Sequence, residues 1–260
     1  MHLHWRRHDG HGPPLLLVHG FLTSHSQWIA NVAALALVCQ PVTVDLFGHG
    51  DSPAPDDPPR YRPEAYVEAF DAIRRALGVE QWLVCGYSLG AGLTLRYAFE
   101  FPERLIGHAF TNSSSGLATR EESDAWRQGA AESAARIRAG GIDAIERIPV
   151  HPRHATRLPK PVYDALMRDA ARLDPIGIAH TLTDTNPHAS MRERLGENTV
   201  PCLLLCGRRE TRFDDKRAFA AAQMPNLEIA DLDVGHGVNM EDPPAFDAAL
   251  TAFIRRVGSS

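Results

Sequence analysis

The sequence predicts a doubly wound α/β fold, a mostly parallel sheet with helices packed on both faces. Short apolar runs bounded by glycine and proline recur along the chain, as expected for strands that are buried on both faces. These runs occupy residues 14–20, 41–48, 82–86, 105–112 and 201–207. Amphipathic helical patterns lie between them, and this alternation of strand and helix is typical of a doubly wound sheet. A length of 260 residues accommodates one such domain with an insertion.

Three helices can be placed from their boundaries. Between Pro63 and Gly78, apolar residues repeat at helical spacing, with proline at the start and glycine at the stop. A second helix is predicted to follow Ser88 and to end before Pro102. Asp242 has two prolines directly after it and is the predicted cap of the last helix.

One segment, residues 114–199, interrupts the alternation because it contains helical patterns and no convincing strand. We interpret it as a helical cap inserted between two strands, with residues 1–113 and 200–260 forming the core domain. The alternative is two ordinary crossover helices joined by long loops. Loops of that length without secondary structure are rare, which favours the cap.

Composition narrows the class of protein. The net charge of −5 argues against a nucleic acid or an anionic membrane as the main partner. No secretory signal and no apolar run of membrane-spanning length is recognisable. The four cysteines lack metal-ligand spacing, which favours reduced thiols. We therefore expect a cytoplasmic protein, monomeric or a small homo-oligomer, whose partner is a small-molecule substrate.

The stretch VCGYSLGAG at 84–92 carries the first chemical signal. Ser88 lies where a predicted strand turns into a predicted helix, which is the setting of the G-x-S-x-G nucleophile elbow. Gly86 and Gly90 allow strand and helix to pack closely, while Ser88 takes a strained conformation that exposes its hydroxyl. The free amide of Leu89, at the helix N-terminus, is then a candidate oxyanion donor.

A serine hydroxyl is a weak nucleophile unless a base removes its proton. Among 13 histidines, His236 is the candidate, because its loop before the last helix lies at the same edge of the sheet as Ser88. The first strong strand ends in HGF, so the backbone N–H of Phe21 is the candidate for the second oxyanion donor. His19 is expected to brace that loop through hydrogen bonds.

Four motifs occur in one order: HGF at 19–21, VDLFGHGDS at 44–52, GYSLG at 86–90 and GHGVNMEDP at 235–243. In this the chain resembles the α/β-hydrolase superfamily over essentially its whole length outside the cap. Among its branches it is similar to small esterases, to carbon–carbon bond hydrolases and to the menaquinone-pathway synthase of 2-succinyl-6-hydroxy-2,4-cyclohexadiene-1-carboxylate. The resemblance implies the α/β-hydrolase fold with a structural Asp45 and GHG loop. The chemistry expected of the serine and histidine needs no cofactor and no metal.

The resemblance also implies the acid of a catalytic triad, directly after the strand at 201–207 in the pattern G-x-x-D. This chain has Gly207-Arg-Arg-Glu210, so Glu210 is the predicted acid, one methylene longer than aspartate. Asp214 is the alternative, although it equally fits the first turn of the following helix.

Substrate contacts are less well marked. In the synthase branch an arginine that binds a substrate carboxylate follows the elbow, and its position here is Gly92. Tyr87, Trp126 and Arg120 are the candidate substrate-binding residues.

The sequence therefore predicts a serine hydrolase that cleaves a small carboxylic ester through an acyl-enzyme. The alternatives are a synthase-like lyase, a carbon–carbon bond hydrolase and a low-turnover ligand-binding protein.

Overall fold

A computed structural model describes residues 2–258, which form a seven-stranded sheet in the spatial order β1-β3-β2-β4-β5-β6-β7. The strand β1 pairs antiparallel with β3, and every other neighbouring pair in this sheet is parallel. The doubly wound, mostly parallel sheet is thereby confirmed. The strands are β1 Trp5–Arg7, β2 Pro14–Val18, β3 Gln40–Val44, β4 Trp82–Gly86, β5 Leu105–Thr111, β6 Cys202–Gly207 and β7 Leu227–Leu232.

The helices flank this sheet and surround its carboxyl edge. Their bounds are α1 Val32–Leu35, α2 Pro63–Ala76, α3 Leu89–Glu100, α4 Arg120–Glu146, α5 Lys160–Ala170, α6 Pro175–His180, α7 Asp214–Gln223, α8 Val238–Glu241 and α9 Pro243–Val257. Helix α2 begins at its proline, and α9 begins after Asp242, whose carboxylate accepts a hydrogen bond from the amide of Ala245 at 3.1 Å.

The strand β2 explains why the apolar runs are continuous. Successive side chains of a strand point to opposite faces of the sheet. Leu16 and Val18 belong to a buried cluster with residues of α2 and α3, whereas Leu15 and Leu17 belong to a second cluster with residues of α9. Because helices cover both faces, both sets of side chains must be apolar.

The strand β1 was not predicted, because its three residues include two exposed arginines and form no apolar run. It lies at the edge of the sheet, where Trp5 pairs with Val44. Edge strands bury less side-chain surface than central strands, so the hydrophobic pattern that reveals the other strands is missing here.

Residues 112–201, all of which the structure describes, connect β5 to β6 without a strand. They contain α4, α5, α6 and a π-helical turn at Thr181–Thr185, and α4 is broken at Gly141 where φ is 58°. The division into a core and a cap at residues 114–199 stays a prediction. Below, residues 112–201 are called the inserted segment.

Among residues 2–258, no helix combines the length and the apolar character needed to cross a membrane.

Candidate active site

The turn between β4 and α3 holds Ser88 in an unusual backbone conformation. Its φ of 51° and ψ of −113° lie outside the regions that L-residues favour. A Cβ added at Gly86 would lie 2.2 Å from the Thr94 hydroxyl oxygen, and one at Gly90 would lie 2.4 Å from the His19 carbonyl oxygen. Only glycine allows strand and helix this close, and the closeness forces the intervening serine into its strained turn.

Neighbouring side chains hold the strained turn in place. The Ser88 amide donates a hydrogen bond to the Thr111 hydroxyl at 3.2 Å. The Ser113 hydroxyl donates to the Ser88 carbonyl at 2.6 Å. Both partners lie at the end of β5, so the neighbouring strand supports the turn from below.

Ser88, His236 and Glu210 form a continuous hydrogen-bonded chain. The Ser88 Oγ lies 3.0 Å from His236 Nε2, and His236 Nδ1 lies 2.7 Å from Glu210 Oε2. The carboxylate accepts from Nδ1–H, which leaves Nε2 free to accept the serine proton. The glutamate therefore spans the distance despite its additional methylene. Asp214 does not join this chain, because it accepts a hydrogen bond from Arg208 at 2.7 Å.

Glu210 is buried and held by two further donors. Asn112 Nδ2 donates to Oε2 at 3.0 Å, and Arg212 Nε donates to Oε1 at 2.8 Å. Burial alone would raise the pKa of Glu210, but the hydrogen bond from His236, together with those from Arg212 and Asn112, lowers it to about 2. The carboxylate therefore stays charged at neutral pH.

Glu241 fixes the loop that carries His236. Its carboxylate accepts hydrogen bonds from the amide of Gly235 at 2.8 Å and from the amide of Gly237 at 3.0 Å. These two amides flank His236 on either side. The imidazole is therefore oriented both by Glu210 through the ring and by Glu241 through the backbone.

The loop after β2 passes close to Ser88 because it contains Gly20. A Cβ there would lie 2.7 Å from the Tyr87 ring and 3.2 Å from Ser88 Cβ. Buried His19 braces this loop: its Nδ1–H donates to the Gly20 carbonyl at 2.7 Å, and its Nε2 accepts from the Leu46 amide at 3.0 Å. Burial lowers the pKa of His19, so the neutral ring that this arrangement requires is favoured.

The predicted oxyanion donors lie on this loop and at the start of α3. Phe21 directly follows Gly20, and Leu89 is the first residue of the helix. Within residues 2–258, neither amide donates a hydrogen bond to a protein acceptor. Free N–H groups at these two positions are what an oxyanion site beside Ser88 would require.

A buried chain of amide side chains joins the loop at residues 20–23 to the loop of His236. Gln27 Oε1 accepts from the Thr23 hydroxyl at 2.7 Å and from the Gly20 amide at 3.3 Å, while its Nε2 donates to Asn239 Oδ1 at 3.3 Å. Asn239 in turn donates to Asn31 Oδ1 at 2.9 Å. The relative position of the two loops is thus set by hydrogen bonds within the core. We call these three amide residues the amide chain.

The far end of the amide chain has a testable pH dependence. Asn31 donates to Asp247, which is only 8% exposed, at 2.9 Å. Burial raises the pKa of Asp247 from 3.8 to about 6, despite this hydrogen bond. Between these values the folded state binds more protons than the unfolded state, so this group's stabilising contribution decreases as pH rises from about 4 to about 6.

We therefore expect Asp247→Asn to increase the free energy of unfolding at pH 8, by about 1–2 kcal/mol, with no gain at pH 4. Urea denaturation of both proteins at the two pH values measures the difference. A destabilised variant at pH 8, or a difference that does not vary with pH, contradicts the assignment. Asp231→Asn, at an exposed ion pair with Arg217, serves as the control for general charge effects.

Ser88 and His236 line a cavity of about 280 Å³. Most of its apolar lining comes from the inserted segment: Pro149, Val150, Pro152, Ala155, Leu158 and Leu166. The predicted substrate contact Tyr87 also lines this cavity. Trp126 and Arg120 do not, because the first turns of α4 lie outside it; Arg120 is exposed and lines a separate cavity of about 790 Å³.

One cluster has the residue types of a metal site. Single ligand atoms of His4, Asp45 and Asp51 lie within 4.8 Å of one another. The buried Asp45 carboxylate already accepts hydrogen bonds from His25 Nδ1 at 2.9 Å and from the amides of His25 and Asp51 at 2.7 and 3.0 Å. Its lone pairs are therefore used in shaping the loop, which fits the structural role expected from the sequence.

Several residues of the site have no recognisable signal in the sequence. Asn112 is the last residue of an apolar run, and the partners Gln27 and Asn239 are separated by 212 positions. Glu241 is the exception, because an acid shortly after the glycines that flank His236 could have been recognised as a brace for their amides.

Comparison with known proteins identifies relatives over the full length of the chain. A family model described as the alpha/beta hydrolase fold matches residues 13–243. A putative 2-succinyl-6-hydroxy-2,4-cyclohexadiene-1-carboxylate synthase of Bacillus subtilis is 26% identical, covering 94% of this chain and 90% of its own. An uncharacterized carboxylesterase of the same organism is 25% identical, covering 93% and 79%. Among solved structures, MenH from S. aureus has a TM-score of 0.85 at 21% identity, with 98% of both chains covered.

Proposed function

Because the chain belongs to the family with the alpha/beta hydrolase fold, we propose that it hydrolyses small carboxylic esters, with Ser88 as the nucleophile. The observation that carries this proposal is the hydrogen-bonded chain from Ser88 through His236 to Glu210. A hydroxyl, a base and an orienting carboxylate in this order are the requirements for acyl transfer to serine.

In the proposed reaction, Ser88 Oγ attacks the ester carbonyl carbon while its proton passes to His236 Nε2. The resulting imidazolium is stabilised by the charged Glu210. Collapse of the tetrahedral intermediate breaks the bond to the alcohol, which takes the proton from Nε2 and leaves an acyl group on Ser88. Water then gives a proton to His236 Nε2 and attacks the acyl carbon. The bond between that carbon and Ser88 Oγ breaks, the acid leaves, and His236 returns the proton to Oγ.

The negative charge that develops on the carbonyl oxygen needs donors already in position. The free amides of Phe21 and Leu89 are the proposed pair, and the N-terminus of α3 adds a favourable dipole. The hydrogen bonds of His19 hold the loop of Phe21 close to Ser88. Because these donors are fixed before the reaction, they stabilise the intermediate without reorganisation.

The lining of the cavity indicates the substrate class. It is mostly apolar, and its 280 Å³ is at the lower end for small-molecule sites. A site of this size favours short acyl chains over long ones. We propose that the inserted segment acts as the cap that sets this limit. The cytoplasmic location and the oligomeric state remain predictions.

The proposal is tested with p-nitrophenyl acetate, butyrate and octanoate. We expect release of p-nitrophenolate, with acetate and butyrate preferred over octanoate. A fluorophosphonate should also modify the protein once, and peptide mass spectrometry should locate the adduct on Ser88. Inertness toward all three esters, or hydrolysis with the label on another residue, contradicts the proposal.

A second candidate is a lyase reaction like that of the synthase relatives, and similarity over nearly the whole chain favours it. Gly92 weakens this candidate, because glycine offers no guanidinium at this position and a Cβ there would already lie 3.0 Å from Gly116 Cα. Arg96, one turn further, is paired with Glu64 at 2.9 Å. Formation of 2-succinyl-6-hydroxy-2,4-cyclohexadiene-1-carboxylate by a protein inert toward esters would favour the lyase. A carbon–carbon bond hydrolase would use the same three residues.

A further inference from the structure

The inserted segment carries a histidine whose ring has an unused hydrogen-bonding group. His151 lies before the short 3₁₀-helix Pro152–His154 and lines the same cavity as Ser88. The residue is 1% exposed, and its Nε2 atom is covered, with no hydrogen-bond partner among residues 2–258. Buried polar atoms are almost always satisfied, so an unpaired one in the wall of a cavity suggests a ligand partner.

The remaining ring nitrogen determines what Nε2 can do. The Arg153 amide donates a hydrogen bond to His151 Nδ1 at 3.2 Å, so Nδ1 is an acceptor. Burial lowers the pKa of His151, which favours the neutral ring, even though Glu146 raises it. A neutral imidazole with an accepting Nδ1 carries its proton on Nε2. The unpaired group is therefore a donor, and its partner must be an acceptor.

Nearby side chains do not supply that acceptor. Among residues 2–258 no protein atom accepts a hydrogen bond from His151 Nε2. The neighbouring His154 uses its own Nε2–H to donate to the Glu146 carbonyl at 3.2 Å. The walls around His151 are apolar, formed by its neighbours Pro149, Val150 and Pro152. A single hydrogen bond holds the ring, and the residue already lines the cavity, so the proposal requires only that the side chain rotate until Nε2–H faces it.

We propose that His151 donates a hydrogen bond to a second oxygen of the substrate, in the acyl chain beyond the ester carbonyl. The preferred substrates are then esters of oxo-acids or ether-acids, and simple alkanoate esters are poorer. This inference rests on the proposed function and adds to it the chemistry of the acyl group. His151 is in this proposal a specificity-determining residue and takes no part in proton transfer at Ser88.

Matched esters of similar size test the proposal. Each kcat/KM is divided by the rate constant of the ester's own alkaline hydrolysis, because the added oxygen also activates the carbonyl. The pairs are the p-nitrophenyl esters of 4-oxopentanoate and 4-methylpentanoate, of 5-oxohexanoate and 5-methylhexanoate, and of methoxyacetate and butyrate. We expect kcat/KM of the wild type to favour the oxygen-containing ester by about tenfold in at least one pair, the typical effect of one hydrogen bond. His151→Leu should reduce that ratio to about one, by lowering kcat/KM for the oxygen-containing ester alone.

Two further variants separate recognition from structural damage. His151→Gln retains an N–H donor near the position of Nε2 and should recover most of the preference. His154→Leu removes a neighbouring ring whose donor is already paired, so the ratio should stay at the wild-type value. The proposal is wrong if no pair shows a preference, or if His151→Leu retains the wild-type ratio.

A binding measurement distinguishes failure of this inference from failure of the proposed function. In Ser88→Ala, labelled with ¹⁵N-histidine, the Nε2–H signal of His151 should shift when 4-oxopentanoate is added and stay in place with 4-methylpentanoate. If the shift in Ser88→Ala is selective but the wild-type protein hydrolyses no ester, the recognition site is supported and the esterase is rejected. Ester hydrolysis without any selective shift or preference does the reverse.

Discussion

Replacing Ser88 with alanine is expected to lower kcat for ester hydrolysis by about 10⁴- to 10⁶-fold, the range found when a nucleophile that acts together with a base is removed. The variant retains the oxyanion donors and the cavity, so KM should change little and slow background hydrolysis should remain. The backbone strain at this position is not relieved, because alanine at a φ of 51° is as unfavourable as serine. Steady-state kinetics with p-nitrophenyl butyrate measure the loss.

A serine on the surface provides the control for this substitution. Ser133 lies on α4 and contacts Arg136. Ser133→Ala should hydrolyse the ester at the wild-type rate, and thermal unfolding should give similar midpoints for both variants. If Ser88→Ala keeps more than a few per cent of kcat, the nucleophile is another group and the proposed mechanism is wrong.

Removal of the acid has the second-largest expected effect. Glu210→Ala should lower kcat by about 10⁴-fold, because the ring of His236 loses the acceptor that fixes its tautomer and stabilises its charge. The kcat of Glu210→Asp should lie between those of the wild type and Glu210→Ala. A carboxylate shortened by one methylene cannot keep contact with His236 and with Asn112 and Arg212 together. Asp214→Asn, at the surface pair with Arg208, should have the wild-type kcat.

The lowered pKa of Glu210 gives this prediction a second readout. The folded value of about 2 lies below the ordinary value of 4.5, so the stabilisation is complete above about pH 4.5 and is lost as pH falls toward 2. The free energy of unfolding of Glu210→Gln should therefore differ most from that of the wild type at neutral pH and converge with it in acid. Loss of activity in Asp214→Asn with retention in Glu210→Ala would reverse the assignment of the acid.

The central strands and the order of the helices followed from the sequence because they depend on local patterns. The apolar run at 14–20 contains β2, and the proline at 63 begins α2 as predicted. The helix after Ser88 ends at Glu100, before Pro102, as predicted. Such features depend on burial of a face and on the backbone limits of glycine and proline, which a single sequence displays.

What could not be predicted depends on tertiary contacts. The reach of Glu210 to His236 requires Asn112 and Arg212, and no periodicity marks Asn112. Trp126 and Arg120 were candidate substrate contacts, but the way the helices of the inserted segment pack places both residues outside the cavity of Ser88. His151 caps the turn of residues 152–154 through Nδ1, and only the fold reveals that its other ring nitrogen is buried.

The amide chain has a consequence for how the site can change during evolution. A substitution of Gln27 alone leaves the side-chain oxygen of Asn239 buried without its donor, which costs about 1–3 kcal/mol, and a matching change at Asn239 that removes this oxygen avoids that part of the cost. Accepted changes at these two positions should therefore be paired, although 212 positions separate them. The loop at residues 20–23 and the loop of His236 would then evolve together. Recombination between related genes that exchanges only one of these loops should yield proteins that fold poorly.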